Sequence, residues 1–213
     1  MNAGGCGGGY TEAAIVLAAL SSGISADVWS VEGADRKKFI ELWARFADPQ
    51  FSPLKISVPL LVQHLRKTGQ TAAANKLEAA RPNMFGPGHA TRILIGPEVD
   101  MTEGEITALQ LGLTVQALHG FSYPALFYKH VRCGLVHEFH LTEDATLNPM
   151  TQLTAGVSYS NRGTLTDAFA IKRLIHFDVM WLATVLRSIV ARFGEVGPEQ
   201  LAAPGTWWVS HDI

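Results

Sequence analysis

A chain of 213 residues, 47% hydrophobic and 17% charged, is long enough for one domain with a sizeable core and too apolar for wholesale disorder. Lys and Arg total 17 against 19 Asp and Glu, which excludes a broadly basic nucleic-acid binder but leaves room for a small basic site. Low charge with a mean hydropathy of +0.14 points to apolar surface reserved for a partner, such as a second copy. Two cysteines, Cys6 and Cys133, exclude a disulfide framework and a thiolate zinc site.

The opening GGCGGG at 4–9 reads as part of a disordered glycine-rich tail over 1–10. The apolar run at 13–20 lacks the basic flank of a secretory signal, and no stretch approaches the ~20 apolar residues of a spanning helix. A cytoplasmic protein with reduced thiols and no membrane contact is therefore expected.

One helical domain is expected over 11–195, followed by an irregular tail over 196–213 in which Trp207 and Trp208 suggest docking. Thr11 is a candidate N-cap for a helix to about Trp29, apolar almost all round and so expected to be central and buried. Residues 35–47 place Phe39, Leu42, Trp43 and Phe46 at i, i+3, i+4, i+7, and Asp48-Pro49 ends that helix. Ser57 caps the next, with Leu60, Leu61, His64 and Leu65, and Gly69 interrupts before a helix at 71–80. The stretch 82–100, punctuated by proline and glycine, reads as a loop with a short extended piece at 92–95. Thr102 with Glu105 forms a capping box opening a helix to about His119, and Gly120 stops it. Pro124 starts a helix through PALFYKHVRCGLVHEFH. VSYS at 157–160 and KRLIHF at 172–177 suggest a small hairpin turning at Asn161-Arg162-Gly163. Asp178 caps a final apolar helix that Gly194 closes. The fold class is mainly α, a helical bundle with a small β-hairpin near the C-terminus.

Standard machinery is missing from the sequence: no phosphate loop, no GxSxG elbow, no HExxH and no CxxC. Chemistry concentrates instead in YKHVRCGLVHEFH at 128–140, which holds three of the eight histidines. There Arg132 is followed after four residues by His137. Arginine keeps its charge and grips phosphate oxygens in a planar fork, while histidine titrates near neutrality and can give or take a proton. Together they suit acid–base chemistry beside a phosphate group. Other readings stand beside this one. His137 and His140, spaced i, i+3, offer two ligands of a metal site; His137 suits a helix cap or core position; Arg132 suits a salt bridge with Glu138, Glu143 or Asp144. Cys133 suits a small buried hydrophobe, and the aromatics at 121–128 suit the core.

RCGLVHE at 132–138 resembles the Arg-x4–6-His signature of the HEPN superfamily, helical proteins many of which are metal-independent endoribonucleases. The likeness extends at pattern level over 11–193. It implies an HEPN-like bundle, a homodimer whose paired motifs face one another across a cleft, and RNA as substrate in a toxin or defence setting with a cognate antitoxin as a further partner. It implies Arg132 and His137 as catalytic residues, with Tyr128 and Glu138 orienting the histidine or contacting substrate, and no cofactor or metal. The family usually has a polar residue directly after the arginine; here Cys133 stands there, and many members bind without cutting. The alternatives from other classes are a non-catalytic interaction or dimerisation module, and a metal-dependent hydrolase using His137 and His140.

Overall fold

In the computed structural model of the chain, the described residues are 9–29, 32, 35–84, 93–135, 141, 145, 156–162 and 172–195. They form a mainly helical fold with one three-stranded antiparallel sheet. Four helices come first: α1 (Tyr10–Val28), α2 (Asp35–Phe46), α3 (Val58–Lys67) and α4 (Thr71–Ala80). A short strand β1 (Leu94–Ile95) and the single turn α5 (Gly96–Val99) lead to α6 (Glu103–Ala108), α7 (Val115–His119) and α8 (Tyr123–Leu126). The last of these widens into a π-helical segment, Phe127–Arg132. The sheet then takes β2 (Val157–Arg162) and β3 (Lys172–Phe177), and α9 (Val179–Phe193) follows.

Local capping chemistry behaves as the sequence leads one to expect. Ser57 Oγ accepts from the Leu60 amide, Thr102 and Glu105 close their reciprocal box, and an Asp178 carboxylate oxygen accepts from the Trp181 amide at 2.7 Å. Each satisfies amide donors that a helix start leaves without intrahelical partners. The paired strands also fall where alternation places them, with Tyr159 opposite Ile175 and Ser158 opposite His176.

Several details differ from the expectation. Thr11 is not the cap of α1: Gly9 holds that place and the helix begins at Tyr10. Tyr10 is tied down, because its hydroxyl donates to the Phe177 carbonyl at 2.6 Å. The helix from Thr102 does not reach His119. Gln110 and Gly112 take left-handed φ of 51° and 74°, and Thr114 restarts α7 by accepting from the Ala117 amide. The hairpin does not turn at 161–163, since Asn161 and Arg162 still pair with Arg173 and Lys172, and β1 adds a third strand, with Leu94 opposite Tyr159.

The largest difference concerns which helix is central. α1 buries only a stripe of small residues, Ala14, Ala18, Ser21 and Ser25, and leaves Val16 at 56% and Leu20 at 50% exposure. Among the described helices it is also one long and apolar enough, by length and composition alone, to cross a membrane. The segment from Tyr123 to Leu135 is central instead: within it Lys129 is exposed, Arg132 and Cys133 are half-buried, and the rest is buried. Its Phe127 ring lies 5.8 Å from Trp43 of α2 and 5.4 Å from Phe177 of β3, and its Tyr128 ring meets Phe39 edge-on at 5.2 Å. The backbone carrying these aromatics winds as a π-helical stretch, and such stretches occur frequently at functional sites.

Candidate functional site

Two polar clusters emerge, one at Tyr128 and Arg132 and one nearer the start of the central segment, at Tyr123. The first surrounds Arg132. Burial of nearly every other side chain between Tyr123 and Leu135 leaves Lys129, Arg132 and Cys133 on the accessible side of the helix. The Arg132 guanidinium lies 5.0 Å from the centre of the Tyr128 ring, a distance at which the ring's negative face attracts the cation. Arg132 Nε donates to Ser22 Oγ of α1 at 3.4 Å. Thus a ring and a hydroxyl hold the guanidinium in place while it keeps partial exposure.

Arg36, from the first turn of α2, belongs to the same cluster. Only 9% of its surface is exposed. Its Nε and Nη2 are buried without a hydrogen-bond partner among the described residues. Burial weakens its hold on its proton, with the Cys133 sulfur and the Tyr128 phenol near enough to oppose that effect. Burial also raises the Tyr128 phenol, while Arg132 and, more weakly, Arg36 pull the other way. Two guanidinium groups therefore act on one phenol. Glu138, His137 and His140 lie outside the described residues, as do Glu143 and Asp144. Of the expected site residues, Arg132 and Tyr128 are brought together. Cys133 is half-buried against the core, and Phe121, Tyr123 and Phe127 are core residues.

The second cluster was not foreseen from sequence. Asp100 is 1% exposed, and one carboxylate oxygen accepts from the hydroxyls of Tyr123 and Tyr159, both at 2.6 Å. The other accepts from the Val58 amide at 3.0 Å, placing the carboxyl at the positive end of α3. Ser57 Oγ lies 2.9 Å from the Tyr159 oxygen. Lys55 Nζ caps two nearby carbonyls, those of Pro97 and Asp100. The strap that brings these groups together is backbone: Ile56 exchanges hydrogen bonds with Met101, Ser57 donates to the Phe121 carbonyl, and Tyr123 donates to that of Lys55. Burial pushes the Asp100 carboxyl up to about 7 and outweighs the two phenols, the amide and Lys55, all of which pull it down. Both phenols are held well above their usual range by burial first and the Asp100 charge second. Gly96 is required beside them, because a Cβ there would lie 2.5 Å from the Tyr123 hydroxyl and 2.9 Å from the Val157 carbonyl oxygen. The network is closed, each phenol being used internally, and it reads as a lock between α3, α8 and the sheet. The only sequence signals for it were the Ser57 cap and the inward position of Tyr159 on an alternating strand.

No family model, no curated protein and no solved structure matches the chain.

Proposed function

We propose that this chain is a metal-independent endoribonuclease of HEPN type, working as a homodimer in a toxin or defence setting. The observation that carries this is the placement of Arg132: the motif arginine lies on the accessible side of an otherwise buried central helix, stacked on Tyr128 and half-exposed. Here the buried positions go to Phe127, Val131 and Leu135, and the arginine faces outward.

The chemistry follows from the residue types. The ribose 2′-oxygen attacks phosphorus as His137 takes its proton; the bond to the 5′-oxygen breaks, and a histidine returns a proton to that leaving oxygen. Arg132 stabilises the extra negative charge on the non-bridging oxygens as it develops. The products are a 2′,3′-cyclic phosphate and a free 5′-hydroxyl, and the proton account balances. One motif supplies one histidine, so base and acid together call for a second copy. Exposed Val16 and Leu20, one turn apart on α1, provide an apolar face suited to that copy.

The test is incubation of the purified protein with total RNA in EDTA, beside a His137→Ala control. Cleavage to cyclic-phosphate ends by the wild type, lost in the variant while its melting temperature holds, is the expected result. Intact RNA in both samples removes the nuclease reading and favours a binding module.

A further inference from the structure

We infer that α1 and α9 form one docking face, on which a second copy of this chain sits with each α1 lying against the other copy's α9. The inference rests on the ribonuclease reading only for the need of a second copy. The face itself stands on the exposed side chains and charges of two helices, neither of which carries Arg132 or His137.

Three observations converge on this pairing. First, exposed apolar side chains collect on the two helices: Val16, Leu20, Met180 and Val190 are four of the six large hydrophobics exposed among the described residues. Scattered singly they would need no explanation, whereas gathered together they mark a contact surface. The helices pack against one another, and both pack against α2. On α1 the exposed Val16, Leu20 and Gly23 form a stripe opposite the buried Ala14, Ala18, Ser21 and Ser25. On α9 the exposed Met180, Arg187 and Ala191 lie opposite the buried Leu182, Val185, Leu186 and Ile189. Second, charge selects which helix meets which. Exposed Glu12 and Asp27 are the charged residues of α1, which has no Lys or Arg; exposed Arg187 and Arg192 are those of α9, which has no Asp or Glu. An α1–α1 contact sets acid against acid, and an α9–α9 contact sets base against base. Only α1 against α9 brings opposite charges together, and such complementarity fixes register and suppresses wrong pairings. Acids within the apolar stripe and the lack of a basic flank also suit a bilayer poorly. Third, size requires both helices. At 1.5 Å per residue α1 is about 28 Å long and α9 about 22 Å, and side by side they are about 20 Å wide, an outline on the order of 500 Å². A stable interface takes ~800 Å² of accessible surface from each partner, and a ridged helical layer offers more accessible surface than its outline. Two helices reach that class; one does not. A two-fold axis running along the helices between the two layers gives this arrangement and makes every contact twice.

The test is a charge swap on the full chain. Arg192 already donates to the Ala47 carbonyl, so the swap uses Arg187→Glu on α9 and the double variant Glu12→Lys/Asp27→Lys on α1. Melting curves check that each folds, and Asp27→Lys alone carries the α1 side should the double variant fail, because a cation suits the last turn of a helix. Sedimentation at 50 mM KCl then gives the dimer dissociation constant of each protein and of an equimolar mixture of the two variants. Each variant alone should dimerise at least about tenfold more weakly than the wild type, since like charges now face one another at both halves of the seam. The mixture should recover to within about threefold of the wild type, because each α1 again meets an oppositely charged α9. That recovery should fade at 500 mM KCl, where salt screens exposed pairs. A wild-type dimer constant in Arg187→Glu alone, or no recovery on mixing, overturns the seam. A monomeric wild type that floats with phosphatidylcholine vesicles also overturns it and gives the face to a bilayer. RNA cleavage in EDTA by a protein whose Arg187→Glu variant dimerises normally sinks the seam and spares the nuclease. Recovery on mixing, in a protein that leaves RNA intact, keeps the seam and sinks the nuclease.

Discussion

The carboxyl of Asp100 should make this protein less stable as pH rises through neutrality. Its folded pKa of about 7 stands above the ordinary 3.8, so between those values the folded chain holds a proton that the unfolded chain has released. Stability from this group is fully present below pH 3.8 and is lost as pH rises to about 7. The slope approaches ~1.4 kcal/mol per pH unit between the two values. Integrating the single-site expression from pH 5 to pH 8 gives a loss of roughly 2.5 kcal/mol. Other groups titrate over the same range, so the informative quantity is a difference. In Asp100→Asn the amide oxygen can accept from the Val58 amide, while the new NH2 faces the two phenol oxygens and Tyr159 can turn its proton to Ser57. That rearrangement has a cost, but the cost does not depend on pH. Urea unfolding of both proteins at pH 5, 6, 7 and 8 should therefore show Asp100→Asn gaining on the wild type by roughly 2–3 kcal/mol across the series. A constant difference at all four values would mean that Asp100 is ionised throughout. Its three hydrogen-bond donors would then outweigh burial, and the reasoning about this network would be wrong.

The glycines offer a contrast: Gly96→Ala drives a methyl against the Tyr123 hydroxyl and the Val157 carbonyl and should cost about 1–3 kcal/mol in thermal melts. Gly23→Ala, on α1 with nothing within 4 Å of the added methyl, should instead stabilise by roughly 0.5–1 kcal/mol. Light scattering should report twice the 23.1 kDa chain mass for the wild type and a monomer for Leu20→Glu; a wild-type monomer at high micromolar concentration would remove the composite active site. Arg132→Lys should keep the fold and lose most RNA cleavage, because lysine keeps the charge without the two-pronged grip; retained cleavage would take Arg132 away from the phosphate.

What sequence alone determined here is what depends on near neighbours. Helix starts at Ser57, Thr102 and Asp178 were legible because a cap and the amide it satisfies lie within three positions, and α2 was legible because its apolar period survives without tertiary context. The pairing of 157–160 with 172–177 followed from alternation. Arg132 and Tyr128 were found because the motif and its leading aromatics are contiguous. Tertiary structure decided the ranking of the helices. Both α1 and the motif segment are apolar, and composition favoured α1 as the central one. Small side chains on one face of α1 let it pack there and expose Val16 and Leu20, while Phe127 and Tyr128 reach Trp43, Phe39 and Phe177 only from the middle of the fold. The polar clusters belong to the same category. Tyr123 and Tyr159 lie 23 and 59 positions from Asp100, and Arg36 gains its meaning only when α2 lies against the motif helix. Desolvation is a property of what surrounds a group in space. Hence a carboxyl shifted to about 7 and an arginine with buried, unmatched donors leave no trace in the order of residues along the chain.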